Sequence, residues 1–196
     1  MKILYSPASP YSAKVRMAAV YSGLSVESEI VKTDEKPELL VGNNPLGKIP
    51  VLLADGGAVF DSRAIMHFLD RASGGRLYPS EHTARTEAEV MEALGDGITD
   101  CLIAYIYEQR FHPPEKVHEP WLERQWEKVE RGLDHLQAHP PVINGALHGG
   151  HFSIAAMIGY LALRFNGRWE TRWPALTTFA DAFLVAFPAY AEISPR

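Results

Sequence analysis

The sequence predicts an α/β domain followed by an all-helical domain, and three observations carry that expectation. In the first third, short apolar runs alternate with helix-like patterns in the order β-α-β, a connection, then β-β-α. A Gly- and Pro-containing stretch, GGRLYPSE at residues 74–81, then interrupts the pattern. Beyond it every apolar pattern has helical spacing. The expected domains are residues 1–76 and residues 83–196.

Lys2–Ser6 reads as a buried strand stopped by Pro7, within SPASPYS (residues 6–12), which opens the first helix. From Tyr11 the residues Val15, Ala18, Ala19 and Tyr21 sit at helical spacing, and Gly23 ends the run. Val26, Ser28 and Ile30 alternate with charged residues, as on a half-buried strand. Residues 32–48 are polar and Pro-containing, so an irregular connection with a short helix is expected. The runs PVLL and AVF flank Asp55-Gly56-Gly57 and predict an antiparallel hairpin, because these residues tolerate positive φ. After Phe60, Ile65, Phe68 and Leu69 define one helical face that ends near Gly74-Gly75.

In the second domain, Leu94, Ile98, Cys101 and Tyr105 form one core stripe, and Leu122, Trp126, Val129, Leu133 and Leu136 form another. HPPEKVHEP (residues 112–120) is expected to be the loop between them. A third helix is expected from about Ser153, with Ile154, Met157, Ile158, Leu161 and Phe165 inward, and a fourth over residues 174–187.

Composition narrows the function. The net charge of −5, with Lys and Arg scattered, gives no electrostatic footprint for nucleic acid. No run approaches the roughly 20 apolar residues of a membrane span, and residues 1–14 lack the apolar stretch of a secretion signal. The single cysteine, Cys101, excludes an intrachain disulfide and fits a reducing compartment, so a cytoplasmic location is expected. The eight histidines show no metal-ligand spacing, so no metal is expected, and Ser9 lacks the Gly-x-Ser-x-Gly setting of a hydrolase nucleophile.

Residues 44–70, NPLGKIPVLLADGGAVFDSRAIMHFLD, resemble the glutathione S-transferase family pattern Asn-Pro-x-Gly-x-Ile/Val-Pro-x-Leu, a hairpin, then an acidic residue and Ser opening a helix. SPASPYSAKVRMAA resembles the first strand-loop-helix of serine-type members, and YLALRF with RWPALTTFADAF resembles the last helices of bacterial members. The resemblance implies a thioredoxin-like first domain packed on a helical bundle, glutathione as co-substrate, a hydrophobic electrophile as second substrate, and a homodimer. One position departs from the family. Its capping box Ser/Thr-x-x-Asp reads Ser153-Ile154-Ala155-Ala156, so Ser153 is expected to cap the helix without a reciprocal partner.

Aligning Lys14-Val15-Arg16 with the matching stretch of serine-type members places the family's catalytic serine on Ser9. Read from the residues alone, Ser9 followed by Pro10 is equally an N-cap with Pro at the first helical position. Ser12 falls in the first helical turn and is the second choice. The resemblance further implies a cis Ile49-Pro50 bond whose backbone pairs with the cysteinyl unit of glutathione. Asp61 and Ser62 would hold the γ-glutamyl amino and carboxylate groups, and Lys48, with Lys36 as the alternative, would meet the glycyl carboxylate. Tyr11, Tyr105, Phe111 and Trp169 are the aromatic candidates for the electrophile pocket, and core packing is the competing reading for each. Two other functions compete: a glutathione-dependent isomerase of the maleylacetoacetate type, whose Ser-Ser-Cys-x-Trp-like loop is absent here, and a non-catalytic scaffold for protein binding.

Overall fold

The computed structural model describes residues 1–196. The first unit contains β1 (Lys2–Tyr5), α1 (Pro10–Tyr21), β2 (Glu27–Ile30), α2 (Glu38–Val41), β3 (Val51–Ala54), β4 (Gly57–Val59) and α3 (Ser62–Ala72). The second contains α4 (His82–Phe111), α5 (Glu119–Ala138), α6 (Gly149–Arg164), α7 (Pro174–Ala186) and α8 (Tyr190–Ile193). The architecture is a thioredoxin-like α/β unit followed by helices, as expected.

The four strands lie in the order β2-β1-β3-β4. β1 pairs in parallel with β2, as the intervening α1 requires, and antiparallel with β3. One sheet face is buried with α1 and α3, through Ile3, Leu52, Val15, Ile65 and Leu69, in a core that continues into the helical unit. Leu4, Val31, Leu40 and Val51 form a smaller cluster that α2 covers with Leu40. The alternation Ile3/Leu4 and Val51/Leu52 thus sends successive side chains into two separate apolar layers.

The hairpin is present with a different distribution of strain. Ala54 pairs with Gly57, leaving Asp55 and Gly56 as the loop, and the positive φ falls on Gly57 (+121°).

α4 is the long central helix, packed on both α5 and α6. The Leu94/Ile98 stripe faces α5, where a Cβ on Gly132 would stand 2.6 Å from Ile98 Cγ1. Towards α6, a Cβ on Gly95 would meet Ser153 Oγ at 2.5 Å, so the absent side chain is what allows the two helices to approach. Glu81 caps α4 with both carboxylate oxygens, at 2.9 Å from Thr83 N and 2.7 Å from Ala84 N.

The expected start of the third long helix is corrected. α6 begins at Gly149 with His148 at the N-cap, and Ser153 lies inside the helix. Its hydroxyl is 3.1 Å from Glu92 O and 2.8 Å from Asp96 Oδ1, so it joins α6 to α4 and does not cap. Towards the end of the chain, Arg196 N donates to Pro7 O at 3.2 Å, which lays the last residues against the β1–α1 loop.

Candidate functional site

Ser9 occupies the N-cap of α1, where its Oγ accepts the Ser12 N–H at 3.2 Å, and Pro10 opens the helix. A hydroxyl has one proton to donate and room for two accepted bonds, so accepting from Ser12 leaves the Ser9 proton unspent. The two readings of this residue are therefore compatible: the bond that caps the helix also orients the hydroxyl. The Ser9 N–H donates to Ser6 O at 3.1 Å, closing the turn after β1. Ser12 is fully buried and its hydroxyl takes no bond, so it is shut away from any ligand.

The second element is the loop entering β3. The Ile49-Pro50 bond is cis. Asn44 is buried and fixes this loop from inside, with Nδ2 donating to Lys48 O at 2.8 Å and Oδ1 accepting from Leu46 N at 3.0 Å. Lys48 is exposed and in no ion pair, and Lys36 is exposed in the connection before α2.

The third element is the start of α3. Asp61 is the N-cap, its Oδ1 accepting the Arg63 N–H at 2.8 Å, while Ser62 begins the helix and is buried. The next residue, Arg63, turns to the second domain. Its Nε is 3.1 Å from Asp96 Oδ2, and its Nη2 is 3.9 Å from Asp100 Oδ2. Burial alone lowers the Arg63 pKa; Asp96, Asp61 and Asp100 outweigh it and raise the pKa.

Sequence reasoning missed what joins the starts of α1 and α3. Lys14, 1% exposed in the middle of α1, places Nζ 2.9 Å from Glu92 Oε1 and 2.7 Å from Asp96 Oδ2. Tyr11 hydrogen-bonds Asp100, and Tyr78 hydrogen-bonds Glu92. Burial, then these carboxylates, push both phenols up, so both stay protonated donors. Glu92, Asp96 and Asp100 recur every four residues and so share one face of α4. That face clamps Tyr11 and Lys14 of α1 and Arg63 of α3 together. The signal was a lysine inside an apolar helical run facing an i, i+4, i+8 acidic ladder, and such charges read as solvated until the partner helix is placed.

The aromatic candidates separate. Tyr11 is half-buried at the domain junction. Phe111 lies eleven residues beyond Asp100, three helical turns along the same face of α4, edge-on to Tyr107 at 5.1 Å and 68% exposed. Tyr105 instead turns to the α5 side, 6.2 Å from Trp126 and 5.5 Å from Phe165, with the Arg168 guanidinium 3.1 Å from its hydroxyl. Trp169 is buried in the core. For these two, the competing reading as packing residues is the one the structure favours. Cys101 is half-buried, and burial pushes its thiol up.

The family model for the glutathione S-transferase N-terminal domain matches residues 8–72. A glutathione S-transferase from Methylobacillus flagellatus KT, solved with glutathione bound, is 33% identical, covers 100% of this chain and 99% of its own, and superposes with a TM-score of 0.91. A second, from Methylobacterium radiotolerans JCM 2831 in complex with glutathione sulfonate, is 29% identical with a TM-score of 0.90, over 99% of this chain and 94% of its own. The GST-like protein YibF of Escherichia coli K12 is 29% identical over 84% of this chain and 83% of its own. Fold and site define a two-domain protein built around a thioredoxin-like unit. The chain belongs to the glutathione S-transferase family.

Proposed function

We propose that the protein is a glutathione transferase whose Ser9 hydroxyl holds the glutathione thiolate for attack on a small hydrophobic electrophile. The observation that carries this is the Ser9 geometry: a hydroxyl oriented by the Ser12 N–H, its proton free, at the positive end of a 12-residue helix. The relatives solved with glutathione or its sulfonate bound support the choice of ligand.

A free thiol has a pKa of ~8.5 and is only a few per cent thiolate at neutral pH. A donor hydroxyl and a helix N-terminus both favour the charged form, so the bound thiol loses its proton to water more readily. Ser9 keeps its own proton and stabilises the sulfur; it is not the nucleophile. In the proposed complex the backbone of Ile49, followed by Pro50, pairs with the cysteinyl unit as a short added strand. The Asp61 carboxylate has one oxygen committed to Arg63 N and the other available to the γ-glutamyl ammonium. Ser62 at the head of α3 takes the γ-glutamyl carboxylate, and Lys48 the glycyl carboxylate. The sulfur then forms a bond to the electrophilic carbon as the leaving group departs with its electron pair. Tyr11 and the Tyr107/Phe111 face of α4 form the apolar side of that encounter. A homodimer working in the cytoplasm completes the reading.

Calorimetric titration with glutathione, followed by conjugation of an activated aryl halide, tests the proposal. Saturable binding at millimolar concentration or below, with halide release, is the expected outcome. Absence of glutathione binding would leave the scaffold reading in its place.

A further inference from the structure

A cavity of about 650 Å³ lies between the interdomain connection (residues 74–80) and the α5–α6 connection (residues 142–148), reaching His151 of α6. It is far from Ser9. The Tyr21 hydroxyl at the end of α1 accepts from Leu147 N at 2.9 Å, and Arg76 Nη1 donates to Ser22 O at 3.2 Å. The cavity therefore adjoins the C-terminal end of α1, whereas Ser9 caps its start, and α1 is about 18 Å long. The same holds for α3: Asp70 near its end accepts from Leu77 N at 2.9 Å and Tyr78 N at 3.2 Å, while Asp61 and Ser62 stand at its beginning.

The cavity's polar groups are mostly cationic or neutral donors. Arg76 is exposed and in no ion pair; its one bond goes to a carbonyl, which fixes the guanidinium at the rim and leaves its charge uncancelled. Arg85 is held by Glu89 (Nε, 2.9 Å) and Asp70 (Nη1, 3.6 Å) over the Tyr78 ring. His148 stacks on His151 at 3.7 Å. Its Nδ1 is buried without a partner, and its Nε2 makes no bond within the protein. Ser80 and Asn144 add neutral donors, and Pro79, Val142 and Leu147 supply apolar wall. The positive end of the 16-residue α6 starts beside His148. The volume is within the range of small-molecule sites.

We propose that this cavity is a second binding site, for a small organic oxyanion: a phosphate or carboxylate on a compact apolar body. Arg76 meets the anionic group bidentately, His148 Nε2 and Asn144 donate to it, and the apolar wall takes the body. Because its lining comes from both the interdomain connection and the loop before α6, an occupant ties the two domains together at the end opposite glutathione.

The test is calorimetric titration of the glutathione-saturated protein with phenyl phosphate, with inorganic phosphate and phenol as the separate halves of the probe. Saturable binding of phenyl phosphate, weaker binding of each half, and about tenfold loss of affinity in Arg76→Ala are expected. Arg76→Ala is expected to conjugate at the wild-type rate, since the residue is remote from Ser9. If Arg76→Ala fails to fold, Asn144→Asp places a negative charge at the exposed loop and is expected to weaken binding similarly. No saturable binding, affinity unchanged in the substituted protein, or competition by added glutathione would overturn the proposal.

Discussion

Lys14 Nζ of α1 lies 2.7 Å from Asp96 Oδ2 of α4, with both side chains under 5% exposed. Asp96 also accepts from Arg63 and Ser153, so one carboxylate joins α1, α3, α4 and α6. The starts of α1 and α3, which carry Ser9 and Ser62, are thereby held by a helix of the other domain.

Lys14→Met leaves Glu92 and Asp96 buried without their main cation. A loss of about 3–5 kcal/mol in stability is expected, because an uncompensated buried charge remains. Urea unfolding measures it directly. Asp96→Asn is expected to keep part of the hydrogen bonding and lose less, while still weakening glutathione binding as Arg63 loosens.

Tyr11→Phe removes the hydroxyl bonded to Asp100 and keeps the ring. Asp100 is exposed and regains water, so the stability cost is expected to be about 1 kcal/mol or less. The informative readout is KM for the electrophile, which rises if the Tyr11–Asp100 bond sets the ring's position.

Phe111→Ala and Tyr105→Ala should separate cleanly. Phe111 is mostly exposed, so its loss is expected to raise electrophile KM with little change in melting temperature. Tyr105 packs on Trp126 and Phe165 and binds Arg168, so its loss is expected to cost about 2 kcal/mol of stability. Its effect on KM is expected to be slight.

His148 is held at about 4, below its ordinary 6.5, first by burial and then by His151; burial lowers His151 as well. The unfolded chain therefore takes up these protons at higher pH than the folded one. The His148 contribution to stability is complete above its unfolded value and is lost as pH falls towards its folded one. Melting temperature is expected to drop between about pH 7 and about pH 4, and His148→Asn, which introduces a preferred N-cap residue without a titrating ring, is expected to flatten that drop.

Much of this was legible in the sequence because it was local. Pro7, Pro10 and Gly23 bracket α1, and residues 44–62 hold the hairpin together with the Ile49-Pro50 turn and the Asp61-Ser62 helix start. The start of α6 was not legible: His148-Gly149-Gly150 carries no ordinary helix-start signal, and glycines are poor helix formers, while Ser153 looks like a cap. Its true partners, Glu92 and Asp96, lie some sixty positions earlier. The ladder Glu92-Asp96-Asp100 was hidden for the same reason, since its meaning depends on Lys14 and Arg63 being brought to it. Tyr105 and Phe111 could not be told apart by residue type; their angular positions on α4 relative to Asp100 separate them.

The most direct measurement is the pH dependence of kcat/KM for conjugation by wild type and Ser9→Ala. If Ser9 donates to the thiolate, the alanine variant is expected to show its activity limb displaced upward by about one pH unit, with about tenfold slower conjugation at neutral pH. Stability should fall by about 1 kcal/mol from the lost cap. An unchanged pH profile together with that stability loss would mean that Ser9 only caps α1, and would contradict the assigned role.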